Sequence, residues 1–350
     1  MLFVVYGIIY AISSAGETVA VKSLNYNSVP LTLPTYTAFL SNQMWIFLLP
    51  VYYYQWKERN ALKNIWGQNI ILGILLFSLT LLRNISLTFL PGSVFSLLIS
   101  TSIFFNIVLS KLFLAKIFTL WHFAAAFFCL GSALSISFVS LLTNQEEMQG
   151  ANFKIGVSTG FVAAFLLGLT NVVQEYIQPT WDNYDIRIVE MSIISSIVAS
   201  ILIIVYATFT KEITSWPIDI GAATQDRSGL ILVACVSTFL PILKIITRNF
   251  KYATINHSSA FFFEFMQSTG SLLGSLACIL VFNEPWSIGY IVAICLMTIS
   301  FVLYAQTKKK VEMPPPPSYP KGEIQIINPL DTVKVQKSEE KIVSTVSLWK

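Results

Sequence analysis

Ten stretches of about 20 mostly apolar residues divide this chain, a length that suits a helix crossing a hydrocarbon core of roughly 30 Å. They fall at 2–22, 34–55, 67–88, 92–110, 119–141, 155–177, 188–209, 229–247, 255–281 and 286–306. Charged residues make up only 11% of the 350 residues and hydrophobic ones 55%, whereas a soluble domain carries about a quarter charged residues. The expected fold is therefore an all-α polytopic membrane protein with ten transmembrane helices. Polar or turn-forming segments such as "QWKERNALKNIW", "NQEEMQGANFK", "PTWDNYDIR" and "TKEITSWPIDIGAATQDRSG" read as the loops between them.

Lysine and arginine set the orientation. With the N-terminus inside, cytoplasmic ends collect Lys57, Arg59, Lys63, Lys111, Lys116, Arg187, Arg248, Lys251 and Lys308 to Lys310. The other side holds Lys22, Lys154, Lys211 and Arg227. That asymmetry predicts both termini in the cytoplasm. "LFVVYGIIYAISSAG" follows Met1 with no basic region before it, so it reads as a first span, not a cleaved signal; an upstream segment is left open.

Residues 1–306 form the expected transporter domain, and 307–350 a disordered cytoplasmic tail, polar and proline-containing. Within the tail "PPPPSY" has PPxY spacing: Pro316, Pro317 and Tyr319 present an extended proline run ending in an aromatic, which suits a WW-domain partner. A solvated spacer is the alternative.

The dipeptide Arg83-Asn84, at the end of an apolar run, recurs 165 residues later as Arg248-Asn249. The same offset aligns Ser93 with Ser258 and "KIFTLW" (Lys116 to Trp121) with "VFNEPW" (Val281 to Trp286). Five spans followed by five similar spans give a 5+5 inverted repeat, because an odd-numbered unit must enter the membrane upside down in its second copy. Repeat one covers about 1–142 and repeat two about 155–306.

These features resemble the drug/metabolite transporter superfamily. "SLTFLPGSVFSLLISTSIFFNIVLSKLFL" is similar to the fourth-helix region of purine permeases and chloroquine-resistance-transporter-like proteins. "GLTNVVQEYI" and "SSAFFFEFMQSTGSLLGSLACILVFNEPW" resemble the solute carrier 35 type, an EamA-like fold. The resemblance covers roughly residues 1 to 306. It implies a central cavity that opens alternately to each side, lined by helices 1–4 and 6–9 with 5 and 10 peripheral.

Ionisable residues inside the spans are costly and so become site candidates. Glu264 lies in span 9, and Gln267, Ser268, Ser271 and Ser275 follow at helical spacing to make one polar stripe. The stripe is read as a substrate or proton site, or as a partner surface for another helix. Glu17 in span 1 and Asn171 with Glu175 in span 6 occupy corresponding places in the two repeats. Two gate pairs are expected, Glu17 with Arg83 and Glu175 with Arg248, the alternative being snorkelling arginines. Lys244 lies deep enough to pair with Glu264 or Glu175, whereas Glu190 reads as interfacial. Asn42, Asn106 and Asn171 suit hydrogen bonds to a substrate or a neighbouring helix.

Other chemistries find no support. There is no basic stripe for nucleic acid, no Walker loop or GxGxxG, no HExxH, and no serine–histidine set within the spans. Cys129, Cys235, Cys278 and Cys295 lie in apolar runs without a CxxC pair, and His122 and His257 lack ligand-spaced neighbours. No catalytic residue, metal or cofactor is expected, and the chain is not read as an enzyme. The expected function is secondary transport of a small organic solute, neutral or cationic and nucleobase-, amine- or amino-acid-like, by alternating access, with proton coupling left open. One alternative is a nucleotide-sugar or other organic-anion antiporter. Another is a non-transporting scaffold or receptor with a WW-binding tail. The lipid bilayer is the obligatory surrounding and a homodimer is allowed. Plasma membrane and endomembrane (vacuole, lysosome or Golgi) are undecided.

Overall fold

The computed structural model describes residues 2–26, 34–55, 66–90, 95, 98–143, 151–178, 184–224, 227–282 and 288–308. Twelve helices are present among them: α1 (Leu2–Tyr26), α2 (Pro34–Ser41), α3 (Met44–Tyr54), α4 (Trp66–Phe89), α5 (Ser102–Phe113), α6 (Leu120–Thr143), α7 (Ala151–Ile177), α8 (Tyr184–Phe209), α9 (Glu212–Ala223), α10 (Arg227–His257), α11 (Ala260–Phe282) and α12 (Ile288–Lys308). Six contain a stretch long and apolar enough to cross a membrane: Val4–Val21, Trp66–Phe89, Phe153–Ile177, Ile186–Phe209, Val233–His257 and Ile288–Gln306. Leu98–Phe113 and Leu120–Ser135 are shorter apolar helices. The protein is a multi-pass membrane protein whose described elements are all helices. The tail motif with Pro316, Pro317 and Tyr319 lies outside the described residues.

Three elements differ from the sequence expectation. The span expected at 34–55 is broken into α2 and α3 at Asn42 and Gln43. The break is held locally: Asn42 Nδ2 donates to the Ala38 carbonyl at 2.8 Å and Gln43 Nε2 to the Phe39 carbonyl at 3.1 Å. Side-chain amides thus occupy carbonyls that lose partners where the ladder stops, as a lipid environment requires. Second, the segment expected as a polar loop after residue 209 contains α9, because Trp216 gives it an apolar anchor. That ring stacks edge-on against Tyr36 at 5.5 Å and its Nε1 donates to Thr35 Oγ1 at 3.2 Å. Third, α10 continues ten residues beyond the expected end at 247, despite Pro241 inside it. Residues 248–254, expected as the link between spans 8 and 9, are therefore helix, and Arg248 and Lys251 stand within the body of α10.

The helices pack in an exchanged manner. α1 lies against α10 and α11, while α7 lies against α4 and α5. Small residues allow the first of these contacts: Gly270 packs on the backbone of Ala11, and Gly274 on Thr18. α6 and α12 are stitched antiparallel, Ser300 donating to the Ala125 carbonyl at 2.7 Å and Ser135 to the Gly289 carbonyl at 3.2 Å. Ring contacts gather several ends at one end of the bundle. Tyr6 of α1 meets His257 at 5.7 Å, and Tyr304 of α12 meets Phe262 at 5.4 Å and His122 at 6.2 Å.

Polarity is turned inwards. Large apolar side chains such as Ile12, Phe127, Ile201 and Phe239 are exposed, while Asn69, Asn106, Asn171, Glu190 and Arg187 are buried. Arg187 and Glu190 were expected near the interface, yet they are 1% and 0% exposed and form an ion pair of 2.9 Å one turn apart on α8. Snorkelling is prevented because α8 packs against α3 and α4 along this length. Glu190→Ala leaves the guanidinium buried beside a gap, and should destabilise the fold by about 3–5 kcal/mol. Thermal melting in detergent checks this: the single variant should melt well below wild type, and Arg187→Met combined with Glu190→Leu should recover much of the loss.

Candidate functional site

α11 begins at a tight turn after His257. Ser259 caps it, its hydroxyl accepting from the Phe262 N–H at 3.1 Å. The following "AFFFEFM" places Phe261, Phe262, Phe263 and Phe265 in the main hydrophobic core, each 3% exposed or less. Glu264 stands among them at 1% exposed. In so dry a place a carboxyl group needs hydrogen-bond donors on its oxygens. Three side chains from two other helices supply them. Asn171 Nδ2 of α7 donates to Oε1 at 2.6 Å, Asn106 Nδ2 of α5 reaches the same oxygen at 3.5 Å, and Ser102 of α5 donates to Oε2 at 2.5 Å. Ser110 donates in turn to Asn106 Oδ1 at 3.2 Å, which orients that amide. Lys251, over the Phe263 ring at 5.3 Å, is within electrostatic reach of Glu264. Among the described residues the hydrogen-bond partners of Glu264 are all neutral.

The spacing of the donors explains the cage. Ser102, Asn106 and Ser110 repeat every four residues and share one face of α5. Gly168 lets α7 approach that face: a Cβ added there would come within 3.1 Å of the Asn106 backbone nitrogen and 3.2 Å of the Ser102 carbonyl oxygen. Asn171 follows Gly168 by three residues and is delivered to Glu264. Two acceptors on the same α7 face, Asn171 Oδ1 and Gln174 Oε1, are buried without a hydrogen-bond partner. The remainder of the expected stripe turns elsewhere. Gln267 accepts from the Tyr10 hydroxyl at 3.4 Å, and Ser268 hydrogen-bonds with Cys129. The Ser275 side chain lies outside those described.

Glu175, one turn after Asn171, forms a second centre. Its Oε2 accepts from the Ala260 N–H at 3.2 Å, which occupies an orphan donor at the start of α11. Its Oε1 forms an ion pair with Lys116 in the link between α5 and α6. That link turns sharply at Ala115, whose φ of 50° is left-handed, so Lys116 is directed back towards α7. On α1, Glu17 forms an ion pair with Lys244 of α10, and Ser13 accepts from Thr247 Oγ1 at 3.1 Å.

The structure thus gives the acids different partners from the gate pairs expected. Glu17 meets Lys244 in place of Arg83, and Glu175 meets Lys116 in place of Arg248. Lys244, expected against Glu264 or Glu175, meets neither. The physical reason is the length of α10. Continued past 247, it turns Arg248 towards α8, where Nη1 donates to Ser196 Oγ at 2.8 Å and lies 3.4 Å from both Ser195 Oγ and the Ser192 carbonyl. Arg83 is partly buried on α4, within electrostatic reach of Tyr10 and Lys244. Sequence reasoning missed Ser102 and Lys251 as neighbours of Glu264, and Lys116 as the partner of Glu175. The four-residue spacing of Ser102, Asn106 and Ser110 in an apolar run was the signal available for the first.

Residues 13–313 match a family model described as purine nucleobase transmembrane transport. Among solved structures 28 chains match. One, a crystal structure of a protein 13% identical in sequence, superposes with a TM-score of 0.60 over 88% of this chain and 98% of its own. At that identity the likeness concerns the fold alone. No curated protein matches.

Gly168→Val should force α7 away from the turn of α5 that carries Ser102 and Asn106, an overpacking worth about 1–3 kcal/mol. A lowered melting temperature in detergent is the expected result. Gly221→Ala on α9, where an added Cβ meets nothing within 4 Å, should leave melting unchanged or slightly raised.

Proposed function

The chain belongs to the purine nucleobase transmembrane transport family, and from that membership we propose that it is a secondary carrier for a purine-nucleobase-like solute. The observation that carries this reading is the environment of Glu264. A carboxyl group 1% exposed, hydrogen-bonded only by neutral donors from α5 and α7 among the described residues with Lys251 no nearer than electrostatic reach, costs stability unless it does something. Its natural work is exchange. The carboxyl takes up a proton or donors from a solute, and gives them up when the site faces the other side. Amide and hydroxyl groups are the chemistry that a flat, nitrogen-rich heterocycle requires, and the unpaired oxygens of Asn171 and Gln174 add acceptors to the same region.

Alternating access is part of the proposal. α1 packs into α10 and α11 as α7 packs into α4 and α5, the exchange that a 5+5 inverted repeat of ten spans would produce. This supports placing the chain within the drug/metabolite transporter superfamily, with both termini in the cytoplasm. The ion pairs Glu17–Lys244 and Glu175–Lys116 then act as gates, one towards each side. Each opens when its half of the bundle parts.

Two outcomes are expected in proteoliposomes containing the full chain. Glu264→Gln preserves shape and hydrogen bonding but removes the charge change, so accumulation driven by a pH gradient should fall to the equilibrium level while exchange of labelled nucleobase continues. Wild-type accumulation in this variant would exclude proton coupling at Glu264. For the gate, Glu17→Gln should slow transport and lower the melting temperature because Lys244 is left without its carboxylate. Glu17→Lys with Lys244→Glu should restore both, and a double variant no better than the single would remove the pair from the mechanism.

A further inference from the structure

Arg248 is a buried cation whose described hydrogen-bond partners are all neutral. It is 7% exposed, within an apolar span, and only its Nη1 edge is engaged, on the α8 oxygens of Ser192, Ser195 and Ser196. The Nε–Nη2 edge has no hydrogen-bond partner among the described residues. A guanidinium has five donors and no acceptor, and it stays charged at any physiological pH. Two parallel N–H groups of that free edge therefore call for two adjacent acceptor atoms.

A second unused group lies on α4, which packs against the same helix α8. Asn69 of α4 is 1% exposed, and both its amide nitrogen and its oxygen are without a hydrogen-bond partner. α4 and α8 run parallel here, with Gly73 against Ser195 and Val198, and Phe77 against Tyr206. Asn69, one turn before Gly73, falls level with the Ser192 turn on which Arg248 rests. Leu72, Met191 and Tyr252 cluster at the same level, so α4, α8 and α10 converge there. On α10 Lys251 is one turn beyond Arg248 and reaches towards Glu264, so this donor-rich group flanks the site already described.

We propose that Arg248 and Asn69 form the base-reading subsite of the carrier and select 6-oxopurines over 6-aminopurines. The inference rests on the nucleobase-carrier reading. The O6 and N7 atoms of an oxopurine are adjacent acceptors matched to an arginine fork, as in the recognition of guanine. Adenine presents an amino group where O6 would be, which sets donor against donor. The amide of Asn69 supplies one donor and one acceptor for a further ring or exocyclic atom. Glu264 is left to manage the proton.

The test uses the full chain in proteoliposomes with labelled hypoxanthine and labelled adenine. Wild type should take up hypoxanthine with a KM at least about tenfold below that for adenine, the size of one good bidentate contact. Arg248→Gln should abolish the preference, the hypoxanthine KM rising to that for adenine. Because Arg248 also ties α10 to α8, Asn69→Leu provides an independent reading. It removes an amide that bonds to nothing described, so melting should not fall, whereas the thermal shift given by hypoxanthine should shrink relative to that given by adenine. Equal handling of the two bases by wild type, or a preference unchanged in both variants, overturns the subsite while leaving the carrier standing. Uptake of neither base by wild type overturns the carrier reading, and the subsite with it.

Discussion

A hydrocarbon interior offers no water to a polar atom, so each buried donor, acceptor and charge must be answered from within the chain. This constraint orders the whole molecule. Serine and threonine hydroxyls return to carbonyls of their own helices, as Ser41 does to Thr37 and Thr247 to Leu243. Interrupted helices are closed by neighbouring amides, as at Asn42 and Gln43. Ionised groups are paired, as at Arg187 and Glu190. Against that background Glu264 and Arg248, whose hydrogen-bond partners among the described residues are neutral, stand out, and they lie on consecutive helices joined by one tight turn.

The exchanged packing gives the arrangement its mechanical sense. Glu264 is carried by α11, whereas its hydrogen-bond donors come from α5 and α7. Arg248 is carried by α10, whereas its acceptors come from α8. Each exceptional side chain therefore reports on the separation between its own helix and another one. A shift of one ångström between them would disrupt bonds of 2.5–2.8 Å but would scarcely disturb the apolar contacts around them.

The spans were legible because lipid imposes a length and a composition that no local detail can disguise. The limits of helices were less so. Residues 248–257 carry two cations and several polar groups, and a count of hydropathy ends the helix there. In the folded chain Arg248, Tyr252 and Thr254 are buried against protein, so the helix continues. Glu264 was legible as a lone acid in a phenylalanine-rich run. Its partners were not, because serine and asparagine are common in membrane helices and their facing is decided by packing at residues such as Gly168. Pairing Glu17 with Arg83 by formal symmetry misjudged reach: symmetry relates backbones, but rotamers and neighbouring helices decide where a long cation goes.

Glu175 shows how much can be transmitted through one carboxyl group. One oxygen holds the first amide of α11 and the other holds the lysine that follows the left-handed turn at Ala115. Three segments of the chain therefore share a single knot, tied at one end of the bundle and outside the apolar core. Pulling on any one strand loosens the other two, so the helix that bears the buried acid cannot slide along its axis without releasing the α5–α6 link. A carrier built in this way would feel its cargo at its rim.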